Sequence, residues 1–131
     1  MGQIQVNNGK AFEYACLDSL YISLSPDQDV NIVSTPQLET AHQAFLAASE
    51  VMRDKLIRAA NAATRVVKRL EPQLEYPDKN IPLHLSIQAD AQGQIGDVRD
   101  VLCIRKQNEW EIGLSCKHNT RTSRAMVTFS G

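Results

Sequence analysis

An apolar stripe of helical spacing runs through the middle of the chain, and it constrains the fold more than any other feature. Between Thr35 and Pro72 an apolar residue recurs every three or four positions, which places these side chains on one face of a helix. Thr35 can cap the helix, Pro36 suits its first position, and Pro72 ends it. The pattern predicts one long helix, or two helices that are broken near Ser49. The stripe consists of Leu38, Ala41, Phe45, Ala48, Met52, Leu56, Ala59, Ala63, Val66 and Leu70.

Weaker patterns flank this stripe on both sides. Residues 10–23 partly follow helical spacing and predict a first helix, whereas residues 25–31 are rich in loop formers. Three strand-like segments come after the stripe, and a four-residue hairpin loop separates the last two. Helices followed by an antiparallel meander predict an α/β fold, either of the α+β class or with a mixed α/β/α core. The strands are predicted at residues 83–90, 97–105 and 110–117.

Composition places the chain among small soluble proteins. With 131 residues, 43% of them hydrophobic, the chain can form one domain with a core, spanning residues 1–131. Its three cysteines form no pair motif, and the N-terminus does not resemble a signal peptide, which together indicate a reducing compartment. No apolar run approaches the ~20 residues of a membrane span. We therefore expect a cytoplasmic protein with no membrane partner.

The charges balance overall but are unevenly distributed. A net charge of -1 does not by itself indicate a nucleic-acid binder. Residues 53–69, however, hold six basic residues and one acidic residue. Such asymmetry can mark an anion-binding helix face, and a solvated surface is the alternative.

The predicted loop at residues 106–109 determines how the two strands of the predicted hairpin pair. If residues 106–109 form the loop, Arg105 faces Trp110 and Asp100 faces Ser115. Side chains alternate along a strand, so Asp100 would share a face with Ser115, while Asp97 would point the other way. A slip by one residue would exchange the two aspartates.

A carboxylate beside a lysine at a strand end has a chemical use. In this register Asp100 lies near Lys117, two residues beyond Ser115. The carboxylate could hold Mg²⁺, which prefers oxygen ligands and activates water for attack on a phosphate. The lysine could orient that water or stabilise the developing negative charge. The alternative is a surface ion pair of little energetic value.

Three stretches of the chain resemble the HaeIII-type restriction endonucleases: "NGKAFEYACLDSLY", "LHLSIQADAQGQIGDVRD" and "GDVRDVLCIRKQNEWEIGLSCKHN". The resemblance covers residues 9–119. It implies a PD-(D/E)XK-like nuclease fold, in which one strand carries a metal-binding acid and the next an acid-X-Lys triplet. It also implies a type II enzyme that cuts double-stranded DNA at GGCC sites with Mg²⁺. A DNA methyltransferase would be its partner in a restriction-modification system. Because cutting both strands usually needs two active sites, the resemblance also allows a homodimer.

The resemblance assigns roles to residues of the hairpin and of the first helix. Asp100 would be the main metal ligand and Lys117 the water-orienting or charge-stabilising group. The triplet here begins with Ser115, so an acid is missing and a second carboxylate must come from elsewhere. Glu111 is about 13 Å from Ser115 along a regular strand, and Glu13 in the first helix is another candidate. The predicted catalytic set is therefore Asp100, Lys117, Asp97, Glu111, Ser115 and Glu13, with Asp100, Asp97 and Glu111 as metal ligands.

Basic and polar residues outside this set could contact DNA. Arg58, Arg65 and Lys68 recur at intervals of seven and three, so they could share one helix face and contact phosphates. His118 and Asn119, directly after Lys117, could contact the scissile phosphate. Solvent-facing surface residues are the alternative in each case.

The last segment, residues 120–131, does not resemble the family's continuation. We expect a divergent tail, with disorder as one outcome, and an incomplete nuclease core. A frameshift, a truncated gene and a divergent short form are all open. The rival function is accordingly a catalytically inactive DNA-binding remnant of such an enzyme. A structural protein that assembles through an uncovered sheet is a third, weaker idea.

Overall fold

The computed structural model describes residues 2–75, 81–88, 99–106, 109–119 and 124–130. These residues form an α+β fold of helices and one mixed sheet, as predicted. The elements are α1 (Gly2–Leu24), β1 (Val30–Ile32), α2 (Pro36–Ala47), α3 (Glu50–Leu70), a 3₁₀ turn (Pro72–Leu74), β2 (Leu83–Ile87), β3 (Val101–Arg105), β4 (Trp110–Asn119) and β5 (Arg124–Ser130).

The central apolar stripe forms two helices, which is the second of the two predicted alternatives. Thr35 caps α2 by accepting a hydrogen bond from Leu38 N. The break lies at Ala48 and Ser49, and Ser49 caps α3 by accepting from Met52 N. A serine that bonds to the backbone ahead of it favours a helix start over a helix interior, so the break has a local cause.

Helix α1 is longer than predicted, because it begins at Gly2 and not at Lys10. It lies at the centre of the fold and contacts α2, α3 and strands β1 to β4. A helix that is buried on several sides lacks a single apolar stripe, which explains its weak periodicity. Packing on both sides also stabilises a helix through Asn8 and Gly9, residues that favour turns in isolation.

The sheet has the strand order β1-β2-β3-β4-β5, and its last four strands form the predicted antiparallel meander. Strand β1 was not predicted, since its residues fall partly in the segment read as a loop. It pairs in parallel with β2, with Val30 opposite Leu83. A parallel partner reached through two helices leaves no local signal in the sequence.

The tail differs most from expectation. Residues 124–130 form β5, which pairs with β4 from Asn119↔Arg124 to Gly113↔Ser130, so disorder is the wrong expectation for them. Without β5, the backbone groups on that side of β4 would be unpaired, and such groups favour the addition of another strand.

The core lies between α1 and one face of the sheet. Ile112, Leu114 and Cys116 of β4 and Val101 and Cys103 of β3 are all buried. The alternate residues of β3, Leu102 and Ile104, are only half-buried. The two faces of the sheet therefore differ, as alternation along a strand requires.

Within the described ranges, no helix is both long enough and apolar enough to cross a membrane.

Candidate active site

The predicted hairpin register is confirmed along β3 and β4, where Arg105 faces Trp110 and Val101 faces Leu114. The regular register ends at Asp100. Asp100 N donates to Leu114 O over 2.8 Å, so Asp100 and Val101 both lie against Leu114. Two residues opposite one is the pattern of a β-bulge, which re-aims a side chain. Asp100 therefore does not simply face Ser115, as the regular register predicted.

The Asp100 carboxylate is held at the point where the β3–β4 ladder ends. Its Oδ2 accepts a 2.7 Å hydrogen bond from Cys116 N, taking the place that a strand carbonyl would occupy. The same oxygen lies 3.6 Å from Lys117 Nζ. The structure thus brings together the acid and the lysine that the hairpin pattern predicted.

The surroundings of Asp100 and Lys117 differ in exposure. The Lys117 side chain is 67% exposed, whereas that of Asp100 is 21% exposed. A mostly buried carboxylate and an exposed ammonium at one strand end form a site that is open to a large anionic ligand. An exposed ion pair has little value for stability by itself, so Lys117 adds little to the hydrogen bond from Cys116 N that fixes Asp100.

The donor set suits a hard cation that keeps most of its waters. Within the described part of the chain, the hydrogen bond and ion pair of Asp100 both use Oδ2, which leaves Oδ1 for a cation. Ser115 supplies only a neutral hydroxyl where an acid was expected. No group of three or more His, Cys, Asp or Glu side chains among the described residues could form a complete metal cage. Mg²⁺ is commonly bound by one or two carboxylates together with water and phosphate oxygens, so these residues fit it.

Glu13 lies on α1, the helix that packs against β4. It is nine-tenths buried, unlike most glutamates on helices. The pKa of the Cys116 thiol is raised by a hydrogen bond with Cys16, by burial, and by the charges of Asp100 and Glu13. The charges of Asp100 and Glu13 thus act on the same buried thiol, and the helix that carries Glu13 packs against β4.

Glu111 has a different partner. It faces Ile104, four residues along β3 from Asp100, and its Oε2 lies 2.9 Å from Arg99 NH1. The aliphatic part of Arg99 crosses over Gly113 on its way to this contact. The structure therefore does not place Glu111 beside Asp100.

The predicted DNA contacts are dispersed. Arg58 and Arg65 are exposed on α3. Lys68 instead bonds to Ser23 Oγ at 2.8 Å and pairs with Glu75 at 3.1 Å. His118 and Asn119 belong to β4. Asp97 lies outside the described residues.

Two functional candidates were missed from the sequence. Arg99 precedes Asp100 and was read only as part of a strand. Gln88 donates from N to Asp100 O and from Nε2 to Arg99 O, both at 2.8 Å. The one available signal was Gly113, because glycine inside a strand often marks a close approach of another group.

Comparisons with known proteins identify the family of this chain. A family model described as HaeIII restriction endonuclease matches residues 9–127, which extends past Asn119 into β5. The Type II restriction enzyme HaeIII of Haemophilus aegyptius is 36% identical over 113 residues, which are 86% of this chain. The chain spans only 35% of the length of that relative. No solved structure matches the chain.

Proposed function

Since the chain belongs to the HaeIII restriction endonuclease family, we propose that residues 1–131 form a partial nuclease domain of PD-(D/E)XK type, which acts as a Mg²⁺-dependent endonuclease. Its substrate would be double-stranded DNA, cut at GGCC-like sites. The observation that carries the proposal is the contact of Asp100 with Lys117, 3.6 Å apart at the end of β4.

Each side chain of the pair has a separate task. Asp100 would hold Mg²⁺ through Oδ1, while its Oδ2 accepts a hydrogen bond from Cys116 N. Lys117, whose side chain is 67% exposed, would contact a phosphate oxygen or the attacking water and stabilise the negative charge that develops there. The chemistry that Mg²⁺ supplies when bound is a water of lowered pKa and a neutralised phosphate charge.

Supporting groups surround the pair. Glu13 is the acid that would compensate for the serine at the head of the Ser115-Cys116-Lys117 triplet, with Ser115 as a hydrogen-bonding group. Asp97 remains a candidate ligand from outside the described residues. These assignments would give a metal site of few protein ligands, as Mg²⁺ accepts.

Binding to DNA would use charge from α3 and from the end of β4. Arg58 and Arg65 are exposed and suited to phosphate contacts, and His118 and Asn119 follow Lys117. Lys68 is the weakest candidate, because its ammonium already contacts Ser23 and Glu75. A homodimer, a companion DNA methyltransferase and a cytoplasmic location complete the proposal.

A second function has support from one residue. Ser115 stands where the acid of the triplet is expected, and it cannot ligate a cation as a carboxylate does. A chain that binds DNA without cutting it is therefore the alternative. Its binding would weaken steeply with salt, because phosphate contacts release counterions.

A plasmid-cleavage assay separates the two functions. The purified chain is incubated with DNA that carries GGCC sites, in Mg²⁺ or in EDTA, beside Asp100→Asn and Lys117→Ala. Lys106→Ala is the matched control, since Lys106 is an exposed lysine at the other end of the same hairpin. The urea midpoint of each variant verifies its folding.

The nuclease proposal predicts discrete Mg²⁺-dependent fragments for the unmodified chain and for Lys106→Ala. It predicts that cleavage slows about 100-fold or more in the two site variants. Salt-sensitive DNA binding with no cuts by well-folded protein would support the alternative. Equal cleavage by Lys117→Ala and Lys106→Ala would refute the assigned roles.

A further inference from the structure

Gly113 lies at a crossing point on the outer face of β4. It is buried, although its neighbours on that face, Glu111 and Ser115, are at least partly exposed. A Cβ added there would lie 2.8 Å from Arg99 Cβ and closer still to the next two carbons of the Arg99 stem. Real Cβ contacts are essentially never that short. The absent side chain of Gly113 is therefore what lets Arg99 lie across the strand.

Arg99 is held at both ends of its crossing. Its guanidinium NH1 lies 2.9 Å from Glu111 Oε2, with side-chain exposures of 20% and 41%. Its carbonyl accepts a 2.8 Å hydrogen bond from Gln88 Nε2. The Arg99 backbone is thus fixed to Gln88, the residue after β2. The Arg99 guanidinium is fixed to Glu111 of β4.

Asp100 follows Arg99 directly, so the contacts of Arg99 constrain the backbone that carries the Asp100 carboxylate. The bulge at Asp100 turns the chain so that Oδ2 meets Cys116 N. A chain that continued straight into β3 would keep the regular register and direct the carboxylate elsewhere. Fixing the preceding residue is one physical way to hold an irregular bend in place.

We propose that Glu111 is a positioning residue and not a metal ligand: through Arg99, seated on Gly113, it holds the bend that aims Asp100 at Cys116 N and Lys117. The consequence of this arrangement for cleavage rests on the proposed nuclease function. Its consequence for the Asp100 carboxylate does not.

The Cys116 amide reports the position of Asp100 without any catalysis. Its hydrogen exchange is measured by NMR in the metal-free chain, in Glu111→Gln and in Gly113→Ala. The matched controls are Glu109→Gln, an exposed glutamate of the same hairpin, and Gly9→Ala, where an added Cβ meets nothing within 4 Å. Protection of the Leu85 amide in β2 serves as the reference for overall stability.

Exchange at Cys116 relative to Leu85 is expected to accelerate about threefold to fivefold in Glu111→Gln, the size of a partly exposed ion pair. A larger acceleration is expected in Gly113→Ala, because the Arg99 stem must leave. The exchanged pair Arg99→Glu with Glu111→Arg should restore protection. Unchanged Cys116 protection in both single variants would overturn the proposal.

A Mg²⁺ titration of cleavage then tests the functional consequence. Positioning predicts that Glu111→Gln and Gly113→Ala both raise the Mg²⁺ concentration for half-maximal cleavage, and that the exchanged pair recovers it. If Glu111 were instead a direct metal ligand, only Glu111→Gln would raise the Mg²⁺ concentration for half-maximal cleavage, and the exchanged pair would not lower it again. That result would overturn the proposal. If the chain does not cleave DNA, the proposed function fails while the exchange experiment still decides the positioning role.

Discussion

Lys117 Nζ lies 3.6 Å from Asp100 Oδ2, and the same oxygen accepts a hydrogen bond from Cys116 N. One carboxylate oxygen thus joins a backbone amide that belongs to the fold and an ammonium that is mostly exposed. The two contacts contribute differently to stability, and this difference can be measured.

Asp100→Ala should reduce the free energy of unfolding by about 1.5–3 kcal/mol, since it leaves the Cys116 amide without its charged acceptor. Lys117→Ala should change it by less than about 1 kcal/mol, because the ion pair is exposed. Urea denaturation of both variants measures the difference. Equal losses would mean that Lys117, and not the amide, fixes the carboxylate.

Arg105→Ala should be strongly destabilising. Arg105 is 1% exposed, and its guanidinium donates to Ile81 O, Gln73 O, Leu74 O and Gln28 Oε1. Removing it takes the Arg105 donors from Ile81 O, Gln73 O and Gln28 Oε1 and empties a fully buried site, although Leu74 O keeps a hydrogen bond from Gln28 Nε2. We therefore expect a loss of about 3 kcal/mol or more. Thermal unfolding provides the measurement.

The control for Arg105 is Arg69→Ala, an exposed arginine at the end of α3, which should cost less than about 0.5 kcal/mol. Arg105→Lys should recover only part of the stability, because one ammonium cannot reproduce the fork of donors. Full recovery by lysine would show that charge alone matters there.

Stability should fall in alkali because of Cys103. Burial raises the pKa of its thiol from 9.0 to about 12 in the folded chain, so between these values only the unfolded chain loses the proton. A raised folded pKa gives stability that is complete below pH 9 and lost as the pH rises toward 12. Urea midpoints between pH 8.5 and 10.5 measure this.

Cys103→Ala identifies the contribution of that thiol. Over the same interval its free energy of unfolding should fall by about 2 kcal/mol less than that of the unmodified chain, following 1.36 kcal/mol per pH unit above pH 9. Identical slopes for the two proteins would contradict the assignment to Cys103.

Gly9→Ala should stabilise the chain by about 0.5–1 kcal/mol. Gly9 lies inside α1, where glycine is unfavourable relative to alanine, and the added methyl meets nothing within 4 Å. A rise in melting temperature would be the readout. A fall would indicate that α1 does not begin at Gly2 as described.

The active-site pair shows how far local sequence reasoning extends. The loop at residues 106–109 fixed the pairing of Arg105 with Trp110, and alternation then brought Asp100 near Lys117. The bulge at Asp100 could not be predicted in this way, because it involves Arg99, whose contacts with Gly113 and Glu111 on the neighbouring strand are set by no periodicity.

The sequence by itself determined the elements whose signals are local: the cap of α2, strands β2 to β4 and the hairpin register. It left a break near Ser49 as one of two alternatives, and the structure shows that break. Only the tertiary structure decided the length of α1, the pairing of β1 and β5, and the partner of Glu111. The physical reason is that caps, turns and alternation act between residues a few positions apart, where their energies depend on neighbouring side chains alone. Strand pairing and ion pairs join distant parts of the chain, so they exist only after the helices and sheet have packed.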